Sequence, residues 1–231
     1  CDTCSMHETA QSAMPLLGVS PPQFRARSMP IKIRTYLLAF LAFVLIGCDS
    51  PRLNPLSGND VVLAFGDSLT VGVGVTEENS YPRVLSEISG VNVVGSGVSG
   101  ETTSEGLVRL PEVIREYNPS LLVLLEGGND ILQNVDYSLT EQNLDRMIQI
   151  ALDQGIQVVL IGVPEKSLFS SSAPFYRDLA EKHDLVFDSD LVSDLMRSPS
   201  KKSDSIHFNE EGYADLAEGI NDLLSSHGAI N

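Results

Sequence analysis

The chain has 231 residues, 42% of them hydrophobic and 20% charged, a balance that fits a packed globular core and excludes a largely disordered chain. With 15 Lys and Arg against 31 Asp and Glu, its net charge is −16, which argues against the clustered basic surface that nucleic-acid binding requires. The length fits one domain with appendages, and no internal repeat is present.

Residues 31–47 read IKIRTYLLAFLAFVLIG, with Lys32 and Arg34 followed by 12 uncharged residues from Tyr36 to Gly47. A membrane-spanning helix needs about 20 apolar residues. So short a run behind positive residues predicts a secretion signal, with a short anchor or a buried helix as the competing reading. The run ends in Leu45-Ile46-Gly47-Cys48, which resembles the lipobox of bacterial lipoproteins. That resemblance implies cleavage before Cys48 and acylation of the cysteine, and several acyl chains anchor a protein stably where one does not. A signal beginning at Met29 leaves residues 1–28 as an upstream extension outside the functional protein. The expected organisation is then extension 1–28, signal 29–47, lipidated Cys48 with a linker to residue 59, and a catalytic domain over 60–228. From Cys48 onward no second cysteine exists, which excludes a disulfide framework or a cysteine metal site there.

Residues 49–59, DSPRLNPLSGN, read as a linker. VVLAF (61–65) predicts a strand. YPRVLSEIS predicts a helix, with Ser80 as N-cap and Pro82 in the first turn. VNVVG (91–95) predicts a second strand. Residues 102–117 predict a helix that Pro111 should restart or kink. LLVLL (121–125) has the unbroken apolar run of a strand buried on both faces. A helix follows over 140–154, capped by Thr140, then a strand in IQVVLIGV (156–163), a helix near 174–183, a short strand in LVFDS and a last helix over 209–225. Alternating strand and helix predicts an α/β three-layer sandwich on a mainly parallel sheet. Working residues in such sheets lie beyond the carboxyl ends of the strands. Ser68, the GSGVSGETT loop and the EGGND turn all follow strand ends, so they should share one edge.

Ser68 in GDSLTVGVG has three possible uses: capping a helix, binding phosphate or attacking a substrate. The stretch lacks the Lys of a phosphate loop. A serine attacks only when a base removes its proton. From Cys48 onward the histidines are His183, His207 and His227. His183 sits in a charged helical stretch, which predicts a surface residue, and His227 lies close to the C-terminus, which predicts mobility. His207 lies three residues after Asp204, close enough for the carboxylate to orient the imidazole if the loop folds back, though Asp204 could equally be a solvated loop acid. Gly100 can offer a close N–H to a substrate oxyanion, or serve only a turn; Asn129 can offer an amide N–H, or cap a helix.

Together, GDSL at 66–69, the glycine of GVSGETT, GGND at 127–130 and DSIH at 204–207 resemble the SGNH, or GDSL, hydrolases, with SYPRVL and RLPEVI extending the likeness over most of 60–226. The likeness is greatest to the branch of acyl-thioesterases, lysophospholipases and arylesterases. It implies Ser68 as nucleophile, His207 as general base, Asp204 as its partner, and an oxyanion hole of Ser68 N–H, Gly100 N–H and the Asn129 side chain. It implies hydrolysis of a small-molecule acyl ester or thioester without metal or cofactor. With the anchor at Cys48, the expected site is the periplasmic face of the inner membrane in a Gram-negative cell, since Asp49 resembles a retention signal. An O-acetyl esterase of carbohydrate or cell wall, and a non-catalytic binding lipoprotein, are the alternatives. Phe208 stands where this family often has proline, which predicts an altered pocket rim or loop. The apolar loop residues Val71, Val73, Val75, Ile131, Leu132 and Val135 are expected near Ser68, with Gly72 and Gly74 letting their loop pass close to substrate.

Overall fold

The computed structural model describes residues 51–166 and 171–230. The signal, Cys48 and the upstream extension lie outside the described residues. Five parallel strands form one sheet in the order β2-β1-β3-β4-β5: β1 Val61–Gly66, β2 Asn92–Gly97, β3 Leu121–Leu125, β4 Gln157–Ile161 and β5 Val186–Asp188. All five residues of β3 are buried, as its unbroken apolar run requires at the centre of a doubly covered sheet.

Helices α1 Ser68–Val71, α2 Tyr81–Ser89, α3 Thr103–Tyr117, α4 Gly128–Gln133, α5 Tyr137–Leu152, α6 Pro174–His183, α7 Leu191–Arg197 and α8 Glu210–Ser226 connect and cover the strands. They pack as two groups, α2, α7 and α8 in one and α3, α5 and α6 in the other. This is the α/β sandwich that strand–helix alternation predicts. The strand order reverses at β1, so a crevice opens between the carboxyl ends of β1 and β3.

Several local expectations change. Helix α3 runs unbroken through Pro111; the ring removes one backbone N–H, and a capping box between Thr102 and Glu105 secures the start instead. Helix α5 begins at Tyr137 rather than at residue 140. Asp136 caps it, and Thr140 lies inside, its hydroxyl 3.4 Å from Asp130 Oδ1. The expected linker is also tied down. Leu53 N–H donates to His227 O at 2.9 Å and Leu56 N–H to Ala229 O at 2.8 Å, while the Gln157 side chain bonds both backbone groups of Asn54. Leu53 and Ala229 are buried with the core, so the packed unit extends past the expected 60–228 boundary at both ends. Among the described residues no helix is long and apolar enough to cross a membrane.

Candidate active site

Strand β1 ends at Gly66, and the chain turns at once into the short helix α1. Asp67 is its N-cap, accepting the Leu69 N–H at 3.0 Å. Ser68 is therefore the first helical residue, at the carboxyl edge of the sheet. Its Oγ lies 3.0 Å from His207 Nε2, across 139 residues of sequence. His207 Nδ1 lies 2.7 Å from Asp204 Oδ2. If Nδ1 carries the proton, Nε2 is left with a lone pair facing the serine hydroxyl.

The Asp204–His207 loop folds on itself. Asp204 Oδ1 accepts the N–H of both Ile206 and His207 at 2.8 Å. The His207 backbone N–H above all, then its ring and the Ile206 N–H, hold the Asp204 carboxyl well below the usual carboxylate range. The expectation for Gly72 and Gly74 changes here, since neither lines the cavity. Gly74, at φ +103°, would set a Cβ 2.3 Å from Ser203 Oγ, so glycine lets this loop lie directly against the segment carrying His207. Tyr213 OH adds a bond to Val73 O at 3.0 Å. His183 and His227 do not line the cavity at Ser68. His183 is a part-buried partner of Asp145 at 2.6 Å, and His227 caps α8.

Two further groups border the serine. Gly100 turns the chain after β2 at φ +82°, and neither its N–H nor that of Ser68 has an acceptor among the described residues. Asn129, in the first turn of α4, points its Nδ2 at Glu101 O (2.9 Å) and at Asp67 Oδ2 (3.2 Å). The cap of α1 thus also touches the amide that follows β3. Ser68, Gly100, Asn129 and His207 all line one cavity of about 480 Å³.

Asp67 also lines this cavity, and with Glu126 and Asp130 it makes up a group of buried acids that sequence reasoning passed over. Burial pushes Asp67 up to about 6, against the opposing Leu69 N–H and His207, with the neighbouring Glu101 and Asp130 adding to the rise. Glu126 is fully buried and its Oε2 has no hydrogen-bond partner. Burial, then the charges of Asp67 and Glu101, push its carboxyl well above the usual range. Asp130 is satisfied by Thr103, whose N–H and hydroxyl donate at 2.8 and 2.6 Å.

The cavity wall is apolar but differs from the expected one. Ile131 and Leu132 line it; Val71, Val73, Val75 and Val135 do not. Val163, Pro164, Met196 and Ile206 take their place, from the loop after β4, from α7 and from the histidine loop. Phe208 is fully buried against Tyr213, with ring centroids 5.6 Å apart, so it is a core residue and no part of the rim. Glu165 and Lys166 supply charge at the same cavity, where Lys166 Nζ donates to Asn134 Oδ1 at 2.5 Å. Among the described residues no cluster of His, Cys, Asp and Glu suited to a metal ion is found.

Residues 64–214 match the sequence model of the GDSL-like lipase/acylhydrolase family. The chain is 28% identical over 202 residues to an arylesterase of Vibrio mimicus, covering 83% of this chain and 100% of that one. It is 25% identical over 167 residues to thioesterase 1/protease 1/lysophospholipase L1 of Escherichia coli K12, covering 69% of this chain and 80% of the relative. In structure it is similar to the psychrotrophic esterase EstA from Pseudoalteromonas sp., with a TM-score of 0.66 at 18% identity over 73% of this chain and 98% of that one; this last likeness concerns the fold.

Proposed function

The chain belongs to the GDSL-like lipase/acylhydrolase family and is an ester-bond hydrolase, and on that premise we propose that it works through an acyl-enzyme formed on Ser68. The observation that carries this reading is the continuous Ser68–His207–Asp204 relay, with separations of 3.0 and 2.7 Å. His207 Nε2 takes the hydroxyl proton as Ser68 Oγ attacks the acyl carbon. Asp204 holds the ring and stabilises the imidazolium. Negative charge gathers on the substrate carbonyl oxygen, which receives the Ser68 and Gly100 N–H groups and one N–H of Asn129. The longer Asn129 bond, to Asp67 at 3.2 Å, is the one exchanged for the oxyanion. His207 then protonates the leaving alcohol or thiol, and a water activated by the same imidazole releases the acid.

The apolar wall supports acyl chains longer than acetyl as the preferred acid portion, in carboxylic esters or thioesters. This favours an acyl-chain hydrolase over the O-acetyl esterase alternative. The LIGC sequence supports acylation of Cys48 as a membrane tether, on the outer side of the membrane that the protein crosses by its signal. A fluorophosphonate probe tests the central claim. It should add one phosphonyl group to wild-type protein, located on Ser68 by peptide mass spectrometry, and none to Ser68→Ala. Labelling elsewhere, or unchanged hydrolysis in Ser68→Ala, would contradict it.

A further inference from the structure

Arg109 lies on α3, outside the cavity wall, yet it bonds both to the end of β1, which leads into Ser68, and to β2 and the turn after it, which carries Gly100. Its guanidinium forks onto Glu101, with Nε 2.7 Å from Oε1 and Nη2 2.5 Å from Oε2. Nη1 donates to Ser96 Oγ at 2.6 Å, on β2. Nη2 also reaches Ser96 O at 3.3 Å and Gly66 O at 3.4 Å, the residue two before Ser68. The face of the group lies over the Phe65 ring, with Cζ 4.0 Å from its centroid. This planar arrangement, with all three guanidinium nitrogens bonded, is one that Arg can fill and Lys cannot.

Glu101 makes the arrangement relevant to chemistry. It follows Gly100, and its own carbonyl accepts the Asn129 Nδ2 at 2.9 Å. The same residue therefore carries the peptide next to the Gly100 N–H and the acceptor that orients the Asn129 amide. Its side chain is 4% exposed, and Arg109 is the cation that pairs with it. Its charge already raises Asp67 and Glu126, so without Arg109 a buried carboxylate would repel two other acids around the same turn.

We propose that Arg109 is a positioning residue of the oxyanion hole, acting through Glu101 to set the Gly100 N–H and the Asn129 amide against the Ser68 turn. The proposal rests on the reading of Gly100 and Asn129 as oxyanion donors. A purely structural ion pair would lower stability without a selective effect on turnover. A positioning pair lowers kcat while KM stays nearly constant, because the donors matter most once the oxygen bears charge.

The test is a double-mutant cycle on an ester substrate, read as kcat and KM at a temperature where each variant is folded. Arg109→Met should lower kcat about 10- to 100-fold with KM within about 2-fold, less than the loss from a whole oxyanion donor. In an Asn129→Ala background the same change should cost less than about 3-fold, since its main target is already gone. Arg109→Lys, which keeps the charge but not the fork, should fall between Met and wild type, and it carries the same cycle if Arg109→Met does not fold. Full additivity with Asn129→Ala, or unchanged kcat in a folded Arg109 variant, would overturn the proposal. Should Asn129→Ala by itself leave kcat unaltered, the oxyanion reading fails, and that outcome is separate from additivity.

Discussion

Asp204 and His207 are joined twice: one carboxylate oxygen meets the imidazole Nδ1 at 2.7 Å, and the other accepts the His207 backbone N–H at 2.8 Å. A carboxylate bonded in this way fixes the backbone and the ring of the same residue together. The ring's distant nitrogen then lies 3.0 Å from Ser68 Oγ. Asp204 stays an anion under any ordinary assay condition, because these bonds hold its carboxyl far below the usual range.

Loss of the relay should abolish most turnover. Ser68→Ala and His207→Ala are expected to reduce kcat by roughly 10⁴–10⁶, and Asp204→Ala by about 10⁴. Steady-state hydrolysis of p-nitrophenyl hexanoate, with circular dichroism to verify folding, measures this. A folded Ser68→Ala variant within tenfold of wild type would refute the assignment.

The oxyanion donors should separate by kind. Asn129→Ala is expected to cost about 10²–10³ in kcat. Gly100→Ala meets nothing within 4 Å of the added Cβ, but its φ of +82° is unfavourable for alanine. Its stability loss should therefore be about 1–2 kcal/mol, from backbone conformation alone. Chemical denaturation of the two variants beside their kinetics would show whether the costs divide this way.

Buried acids should make stability fall as pH rises. Burial holds the Glu126 carboxyl well above its ordinary value of 4.5, so the folded chain holds a proton that the unfolded chain has released. The stability it contributes is present below the unfolded value and is lost as pH rises through the folded one. Asp67, raised from 3.8 to about 6, acts in the same direction over that window. Glu126→Gln, an uncharged isostere, should match wild type in Tm near pH ~4 and exceed it by a margin that widens towards pH ~8. A margin independent of pH would mean that Glu126 does not titrate with folding.

Acyl length should control kcat/KM. Each CH₂ received by the wall of Ile131, Leu132, Val163 and Met196 can contribute up to about 0.8 kcal/mol. Hexanoyl esters should thus exceed acetyl esters by up to about 200-fold, four methylenes at that rate giving roughly 3.2 kcal/mol, and the preference should persist to decanoyl. Met196→Trp should lower the long-chain values about tenfold, the effect of roughly 1.4 kcal/mol, and leave acetyl ester hydrolysis nearly unchanged. A p-nitrophenyl ester series, run beside acetylated xylan and acetylated peptidoglycan, decides between acyl-chain and O-acetyl hydrolysis. A steep acetyl preference with release from either polymer would support the latter.

The proposed membrane tether has its own readout. Protein expressed from Met29 in a bacterium should yield an N-terminal peptide beginning at an acylated Cys48, and Cys48→Ala should release activity from the membrane fraction. An unmodified Cys48 in the mature protein would exclude the lipoprotein reading.

The amino-acid sequence alone determined what depends on neighbours along the chain. An unbroken apolar run such as Leu121–Leu125 can only be satisfied by burial on both faces, so the parallel sheet was legible. The three-residue spacing of Asp204 and His207 allowed a local contact, and that contact forms. Strand ends in such sheets meet at one edge, so Ser68, Gly100 and Asn129 could be expected together, while their roles came from the resemblance of their motifs to the SGNH hydrolases. Other features depended on which surfaces of distant elements face each other, and no local pattern encodes that. The alternating Val71, Val73 and Val75 looked like cavity wall, yet the cavity takes Val163, Met196 and Ile206 instead. Phe208 looked like rim and is core. The RLPEVI stretch holds Arg109, but its role depends on Glu101, Ser96 and Gly66 converging on one guanidinium from a strand end, a strand and a turn. Tertiary packing decided those contacts, because they join groups whose separation is set by how helices seat on the sheet and not by the chain between them.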